Sequence, residues 1–228
     1  ASLEDLDLSN NQLTGVPAEF RTWGPSENCD LSNNLGFSCA NVGNGTSCCT
    51  ADNCPGDTST CSPCTLFDTI CAAGATCPGG TTISAECADR SKFSENPCAC
   101  TALQQLAALS SDLQNKAPWN NLANAAYCQR TDPYQAGNLD VGCATVGGVQ
   151  LPRDVTGGGT GLAGALPPSL KELGSSLGYL NLSFSAITSL PTELGALTGL
   201  GILDLSANAI TSLPTELAAL TGLVGLYL

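Results

Sequence analysis

A 23-residue repeat near the end of the chain constrains the fold more than any other feature of the sequence. Leu177, Leu200 and Leu223 open successive units, so the period is 200 − 177 = 23 residues. From Leu200 to Pro214 the unit reads L-x-x-L-x-L-x-x-N-x-I-x-x-L-P. A unit of this length cannot bury its apolar face alone, so it must stack on a neighbouring unit. The sequence therefore predicts stacked units from Leu177 onward.

The same pattern occurs at the start of the chain, where residues 3–17 read L-x-x-L-x-L-x-x-N-x-L-x-x-V-P. This pattern resembles the leucine-rich repeat family. The resemblance implies an α/β solenoid with short parallel strands, interrupted here by a disulfide-rich, mostly irregular module and a capping helix. It also implies that Asn11 and Asn208 belong to a ladder of Asn side chains that bond turn backbone, with a weaker rung at Ser185. The resemblance favours binding or assembly over catalysis.

Cysteine content indicates the compartment. Fourteen cysteines in 228 residues would be a liability in a reducing compartment unless metals held the thiolates. Zinc is the alternative, but the chain has no His and one isolated C-x-x-C, Cys61 to Cys64. We therefore expect disulfides, no metal, and an extracellular or cell-surface location, with the pairing left open. The predicted disulfide cysteines are Cys29, Cys39, Cys48, Cys49, Cys54, Cys61, Cys64, Cys71, Cys77, Cys87, Cys98, Cys100, Cys128 and Cys143.

Charge and residue content exclude several function classes. A net charge of −13 argues against nucleic-acid binding and against an anionic membrane surface, because both need clustered Lys and Arg. No apolar run reaches about 18 residues, so we expect no membrane insertion in this segment. The absence of His removes the usual general base, and no nucleophile or phosphate-binding motif is present. We therefore predict neither an enzyme nor a cofactor.

Changes in composition divide the chain into four predicted regions. Residues 1–28 form a leucine-rich repeat, and residues 29–97 form a cysteine-rich carboxyl-side cap with a disulfide module. Residues 98–150 form a helical, disulfide-linked amino-side cap, similar to the caps of plant-type leucine-rich repeat proteins. Residues 151–228 form further repeats. This order predicts a junction between two arrays.

The predicted amino-side cap contains the clearest helical pattern. Apolar residues at helical spacing between Ala102 and Leu113 predict an amphipathic helix of about four turns that ends near Pro118. Further along, Pro152 and the glycines at 157–159 occupy the place of a regular first strand. We therefore expect an irregular first rung.

The two ends of the sequence suggest assembly. Residues 1–8 and 221–228 are the same part of the repeat, so the chain starts without an amino-side cap and stops in mid-unit. We expect either a longer protein with further repeats or copies that stack end to end. The first hypothesis is an extracellular structural glycoprotein whose arrays stack into a fibre or a long tandem chain, since a head-to-tail contact that does not close gives a filament. Its predicted assembly contacts are Leu3, Leu6, Leu8, Leu223, Leu226 and Leu228.

The second hypothesis is a recognition ectodomain that binds a peptide, a protein or a glycan on its open strand face. Tyr179, Ile202 and Tyr227 fall on outward strand positions, where such side chains make good contact anchors. Scattered exposed apolar residues are also normal on any protein surface. The strand pattern therefore marks a candidate ligand face and leaves its use open.

Three acidic residues fall on the same face. Asp5, Asp7 and Asp204 project from the predicted strands and could attract a cation such as calcium. The alternative is a solvated acidic face, which we favour.

Two sequons, Asn44-Gly-Thr46 and Asn181-Leu-Ser183, predict N-glycans. Asn44 lies in a Gly-rich loop, whereas Asn181 lies inside a predicted strand on the open face. A glycan on Asn181 would obstruct ligand binding there and favour a structural role.

Overall fold

A computed structural model of the chain describes residues 5–7, 28–30, 76–77, 79–88, 90, 93–128 and 137–228, with only the backbone at 5–7 and 28–30. Over these residues the strands are β1 (Asp5–Asp7), β2 (Asn28–Asp30), β3 (Asp140–Val146), β4 (Val149–Thr156), β5 (Ala163–Ala165), β6 (Tyr179–Asn181), β7 (Ala186–Ser189), β8 (Ile202–Asp204) and β9 (Gly225–Tyr227). The α-helix α1 spans Pro97–Ala107. Short 3₁₀ segments span Ala85–Cys87, Leu113–Asn115, Pro168–Leu173, Thr192–Ala196 and Thr215–Ala219.

Seven of the described strands form one mixed sheet in the order β2-β1-β9-β8-β6-β4-β3. All neighbours are parallel except β3 and β4, which form an antiparallel hairpin. Gly147 and Gly148 close the hairpin with φ values of 59° and 87°, which a two-residue hairpin turn requires and glycine adopts without strain. β5 and β7 form a separate parallel pair.

The 23-residue period is the step from one parallel strand to the next. Leu180, Leu203 and Leu226 lie in register on β6, β8 and β9, and each is 0% exposed. The 3₁₀ segments that follow the strands pack on one another on the other side of this leucine core. Pro191 and Pro214 precede two of them in extended conformation, and their carbonyls accept the first turn bonds. The predicted short strands are therefore present, in a mixed sheet.

Among the described strands, the last one, β9, pairs with the first, β1. β1 runs parallel to β9 with Leu6 opposite Leu226, and β2 follows β1. Leu223 is 3% exposed, and Leu226 and Leu228 are 0% exposed.

This pairing corrects the assembly prediction. The contact expected between two copies, through Leu6 and Leu226, is made within one chain. Leu3 and Leu8 lie outside the described residues. The leucines near residue 228, which motivated the fibre, are covered by the chain itself.

Helix α1 differs from its predicted range. It begins at Pro97, because Asn96 Oδ1 accepts the N–H groups of Cys98 and Ala99 at 2.9 Å each and proline suits the first helical position. It ends at Ala107, so the predicted continuation toward Pro118 is wrong. The buried Ser110 hydroxyl donates to the Thr160 carbonyl at 2.6 Å and accepts the Leu113 N–H at 3.3 Å, contacts that turn the chain away from the helix axis.

The predicted irregularity of the first rung is confined to one bulge at Pro152, and the rest of the strand is regular. β4 is an eight-residue strand that pairs with both β3 and β6. Pro152 lies opposite Cys143, next to the register shift between Gly142 and Cys143. A bulge tolerates proline because no ladder bond is required there.

Three disulfides lie in the described part of the chain. Cys77–Cys98 and Cys87–Cys100 join residues 77 and 87 to α1, and Cys128–Cys143 joins the following segment to β3. These pairs involve six of the fourteen predicted cysteines. Cys29 lies on β2, whose side chains are not described, and Cys39, Cys48, Cys49, Cys54, Cys61, Cys64 and Cys71 lie outside the described residues.

Two of the predicted domain boundaries cross structural elements. β4 spans the boundary at residue 150, and two disulfides cross the boundary at residue 97. The four-region division stays a prediction. No helix in the described part of the chain has both the length and the apolar character that crossing a membrane requires.

Candidate functional site on the strand face

Outward residues on β4, β6, β8 and β9 form two rows across the sheet. They flank the buried central residue of each strand, because successive side chains of a strand point to opposite faces. The first row contains Asp154, Tyr179, Ile202 and Gly225, followed by the register position of Asp5. The second row contains Thr156, Asn181, Asp204 and Tyr227, followed by the register position of Asp7.

The three residues predicted to anchor a ligand lie side by side. Tyr179 and Ile202 are half-buried neighbours in the first row. Tyr227 belongs to the second row, but its ring lies over Gly225, where an added Cβ would be 3.0 Å from Tyr227 Cε2. The ring thus continues the first row across β9. We call Tyr179, Ile202 and the ring of Tyr227 the aromatic strip.

A ladder of polar side chains runs beside the aromatic strip. Asn181 Nδ2 donates to Asp204 Oδ2 at 3.1 Å and to the Tyr179 hydroxyl at 3.2 Å. Asn181 Oδ1 accepts the N–H and hydroxyl of Ser183 at 3.0 and 2.7 Å. Asp204 Oδ1 accepts the same two groups of Ser206 at 3.0 and 2.7 Å. These bonds fix the orientation of both side chains and of the Tyr179 ring.

The ladder bears on the predicted glycan at Asn181. Both Nδ2 hydrogens of Asn181 are used by Tyr179 and Asp204, and Ser183 of the sequon is 4% exposed. A glycan attached to Nδ2 would displace one of these contacts. Asn44 lies outside the described residues. Glycosylation at both positions stays a prediction.

A metal is not favoured at the groups that could hold one. The side chains of Asp5 and Asp7 are not described, and both carboxylate oxygens of Asp204 accept bonds from the protein. In the described part of the chain, the ligand atoms of Cys77, Cys98 and Glu172 lie within 4.8 Å of one another. The two sulfurs form a disulfide, and Glu172 accepts the N–H groups of Gly79 and Thr81. This group therefore holds a turn in place.

A second cluster of polar groups lies beside the start of helix α1. Arg90 and Glu95 are 0% exposed and form an ion pair. Arg90 also donates to the Ala125 carbonyl at 2.8 Å, and Glu95 Oε1 accepts the Cys128 N–H at 2.8 Å. Burial, with the nearby Glu95 charge, raises the pKa of Tyr127 well above its usual range. These contacts and the complete burial of the ion pair indicate a structural role.

Sequence reasoning missed one surface residue, Phe184. Its side chain is 72% exposed and its φ is 53°, a left-handed conformation that is unfavourable for a bulky residue. Backbone bonds join this turn to both neighbouring turns: the Gly159 N–H donates to the Ser183 carbonyl, and the Phe184 N–H donates to the Ser206 carbonyl. Aligning the repeat units would have shown this position. The first unit has Asn10 there, a residue that tolerates positive φ, whereas this unit has Phe184.

Comparison with known proteins bears on the first unit. Residues 2–23 match the Leucine Rich Repeat family. No curated protein and no solved structure matches the chain. The matched residues include β1, which continues the parallel strands of the later units. The chain thus contains a leucine-rich repeat at residues 2–23.

Proposed function

We propose that this chain is an extracellular leucine-rich repeat solenoid that binds a peptide, protein or glycan partner on its open strand face. One observation carries the proposal. Tyr179, Ile202 and the ring of Tyr227 lie side by side on three neighbouring strands, next to a ladder that fixes polar groups in place. Preoriented aromatic and polar side chains reduce the ordering cost of binding.

The proposal includes the compartment and the absence of catalysis. Three disulfides in the described residues support a secreted or surface location, because such bonds persist under oxidising conditions. The chain contains no His, and hydrogen bonds from Asn181 and Ser206 hold the Asp204 carboxylate on the strand face in one orientation. We therefore propose binding without chemistry.

Phe184 belongs to the same surface in this proposal. It follows β6 by three residues, at the rim where the strands end. An exposed aromatic side chain on an unfavourable backbone lowers stability, and such features concentrate at functional sites. We assign Phe184 to the contact with the partner.

A binding array tests the proposal. The labelled protein is applied to arrayed peptides and glycans and compared with a variant carrying Tyr179→Ser, Ile202→Ser and Tyr227→Ser. The matched control carries Thr192→Ser, Thr215→Ser and Glu216→Gln, which lie on the 3₁₀ segments away from the strand face. We expect the face variant to lose the binding that the control keeps. Equal binding by both variants would overturn the proposal.

A cross-link tests the fibre alternative. Asp7 lies opposite Tyr227 in the β1–β9 pair, so Asp7→Cys with Tyr227→Cys places two thiols side by side. We expect a disulfide between the two new cysteines in protein that runs as a monomer on a non-reducing gel. Mass spectrometry of the linked peptides identifies the bond. A cross-link that joins two chains would restore the fibre hypothesis. The single variant Asp7→Cys controls for exchange with the native disulfides.

A further inference from the structure

The strand face carries negative charge beside the aromatic strip. Asp154 and Asp204 are half-buried. Asp154 begins the first row on β4, and Asp204 lies in the second row on β8, between Asn181 and Tyr227. β1 adds Asp5 and Asp7 at the next register positions, and β2 adds Asp30. Acidic residues thus occur on both sides of the strip along the sheet.

Positive charge is sparse on these strands. Among the described strands Arg153 on β4 is the single basic residue, and it is exposed at the cap end of the sheet. Arg90 is buried beside the start of helix α1, and Lys171 lies on a 3₁₀ segment, 3.9 Å from Glu193. The charge of the face therefore has the same sign as the net charge of −13.

We propose that the occupant of the face is an extended, cationic polypeptide segment, with a Lys or Arg side chain over the aromatic strip and its charged end at Asp204. This inference rests on the proposed function and names the partner's chemistry. Tyrosine rings attract cations through the negative face of the ring. The aliphatic stem of Lys or Arg packs against apolar surface such as Ile202 while its charged end stays near water.

The geometry of the face favours this occupant over others. Asp204 is half-buried beside the strip, between Asn181 and Tyr227, so a neutral glycan would remove water from the carboxylate without supplying a charge. An acidic segment or a nucleic acid would be repelled. Neighbouring strands lie ~4.8 Å apart and an extended chain rises ~3.3 Å per residue, so about four or five residues cross from β6 to β1.

The charge pattern also gives the segment a direction. Acidic register positions occur on both sides, at Asp154 on β4 and at Asp5, Asp7 and Asp30 on β1 and β2, but Arg153 adjoins Asp154 on β4 and offsets its charge. The most basic end of the segment therefore lies toward β1 and β2. Arg153 lies beyond the opposite end and repels a cation there.

Fluorescence anisotropy with defined probes tests the inference. The probes are a labelled octapeptide of alternating arginine and alanine, the matched glutamate and serine octapeptides, and labelled maltohexaose. We expect the arginine probe to bind and the others to bind at least about tenfold more weakly. Raising the salt from about 50 to about 500 mM should weaken arginine-probe binding, because exposed charges are screened.

Two face variants and one control locate the binding. Asp204→Asn should weaken arginine-probe binding about tenfold, and Tyr179→Leu, which removes the ring and keeps apolar bulk, about threefold. Glu216→Gln on an exposed 3₁₀ segment removes the same charge and should leave binding unchanged. Thermal melting checks the fold. A further control, Tyr179→Phe, removes the hydroxyl that Asn181 contacts but keeps the ring, so it should bind as the unchanged protein does and separates loss of the ring from a disturbed ladder.

The outcomes separate this inference from the proposed function. No binding of the arginine probe, or equal losses in Glu216→Gln and Asp204→Asn, would overturn the cationic occupant. If maltohexaose bound instead and required Tyr179, the face would be a glycan site and the proposed function would stand. If none of the peptides or glycans on the array required the strand face for binding, both the cationic occupant and the proposed function would be wrong.

Discussion

The turns that follow β6 and β8 share one backbone conformation but differ in side chains. Phe184 and Ala207 occupy equivalent places with φ values of 53° and 52°. The next residue is Ser185 in the first turn and Asn208 in the second. The residues on either side are the same in both turns, Ser183 and Ser206 before them and Ala186 and Ala209 after them, so we attribute differences in stability and surface to these two positions.

Asn208 forms the rung that the family resemblance predicts. Its Oδ1 accepts the Ile187 N–H at 2.9 Å, and its Nδ2 donates to the carbonyls of Leu182, Leu205 and Ser206 at 3.1, 2.7 and 3.4 Å. These bonds join two units. The prediction that Asn208 bonds turn backbone is confirmed.

Ser185 replaces this network with one contact, a hydroxyl that donates to the Ser183 carbonyl at 3.4 Å. The same turn carries the exposed Phe184. The β8 turn thus has the more extensive hydrogen bonding. The β6 turn has fewer bonds and an aromatic residue with an unfavourable backbone φ. Local departures of this kind are expected near functional sites.

We expect Asn208→Ala to have the largest effect on the free energy of unfolding. Removing the amide takes this partner from the Ile187 N–H and from the carbonyls of Leu182 and Leu205, whereas the Ser206 carbonyl keeps the Phe184 N–H. We therefore expect the free energy of unfolding to fall by about 2–3 kcal/mol. Ser185→Ala in the equivalent place should cost at most about 0.5 kcal/mol. Urea denaturation with the disulfides intact measures both. Equal losses would end the comparison of the two turns.

Ser185→Asn should restore the missing rung. Gly164 on β5 pairs with Ile187 on β7, so an amide introduced at residue 185 can approach the Gly164 N–H as Asn208 approaches Ile187. We expect a gain of about 1 kcal/mol in the free energy of unfolding, one net hydrogen bond. Ser189→Asn, a half-buried position on β7 outside the turn, is the control and should not stabilise. A loss of stability would mean that the β6 turn excludes the larger side chain.

Phe184→Asn should separate stability from binding. Asn tolerates positive φ better than Phe, so we expect a gain of about 1 kcal/mol in the free energy of unfolding. Binding of any partner found on the array should weaken, because the exposed ring is lost. Ala207→Asn introduces the same residue at the equivalent positive φ in the β8 turn and should leave binding intact. Unchanged binding by Phe184→Asn would exclude this residue from the contact.

The sequence predicted the features that follow from periodicity. The period identified the buried Leu180, Leu203 and Leu226, because stacked units bury the same positions. It also identified Asn208 and the weaker place at Ser185, because each polar rung serves the same turn. The three predicted ligand anchors lie together, because strand alternation fixes the face on which each lies and the period fixes its register position.

The sequence could not predict which strand pairs with the edge of β9, or the value of a single backbone φ angle. The repeat pattern predicts that the edge of β9 can pair with another repeat strand. Both β1 of the same chain and a strand of a second copy fit this prediction, so the sequence alone could not show that β9 pairs with β1. The strain at Phe184 required its φ. The end of α1 depended on the bond between Ser110 and Thr160, which are distant in sequence.

The smallest expected effect extends the comparison from turns to strands, through Gly225→Ala. The new Cβ would lie 3.0 Å from Tyr227 Cε2, at the movable end of a side chain, so the ring must turn away at a cost below about 0.5 kcal/mol. Gly201→Ala is the matched control, since its Cβ would lie at an ordinary 3.5 Å from the Gly178 carbonyl oxygen. We expect the near-ultraviolet circular dichroism of tyrosine to change, and binding to weaken about threefold, in Gly225→Ala alone. Unchanged binding with a displaced ring would show that Tyr179 and Ile202 form the contact without Tyr227.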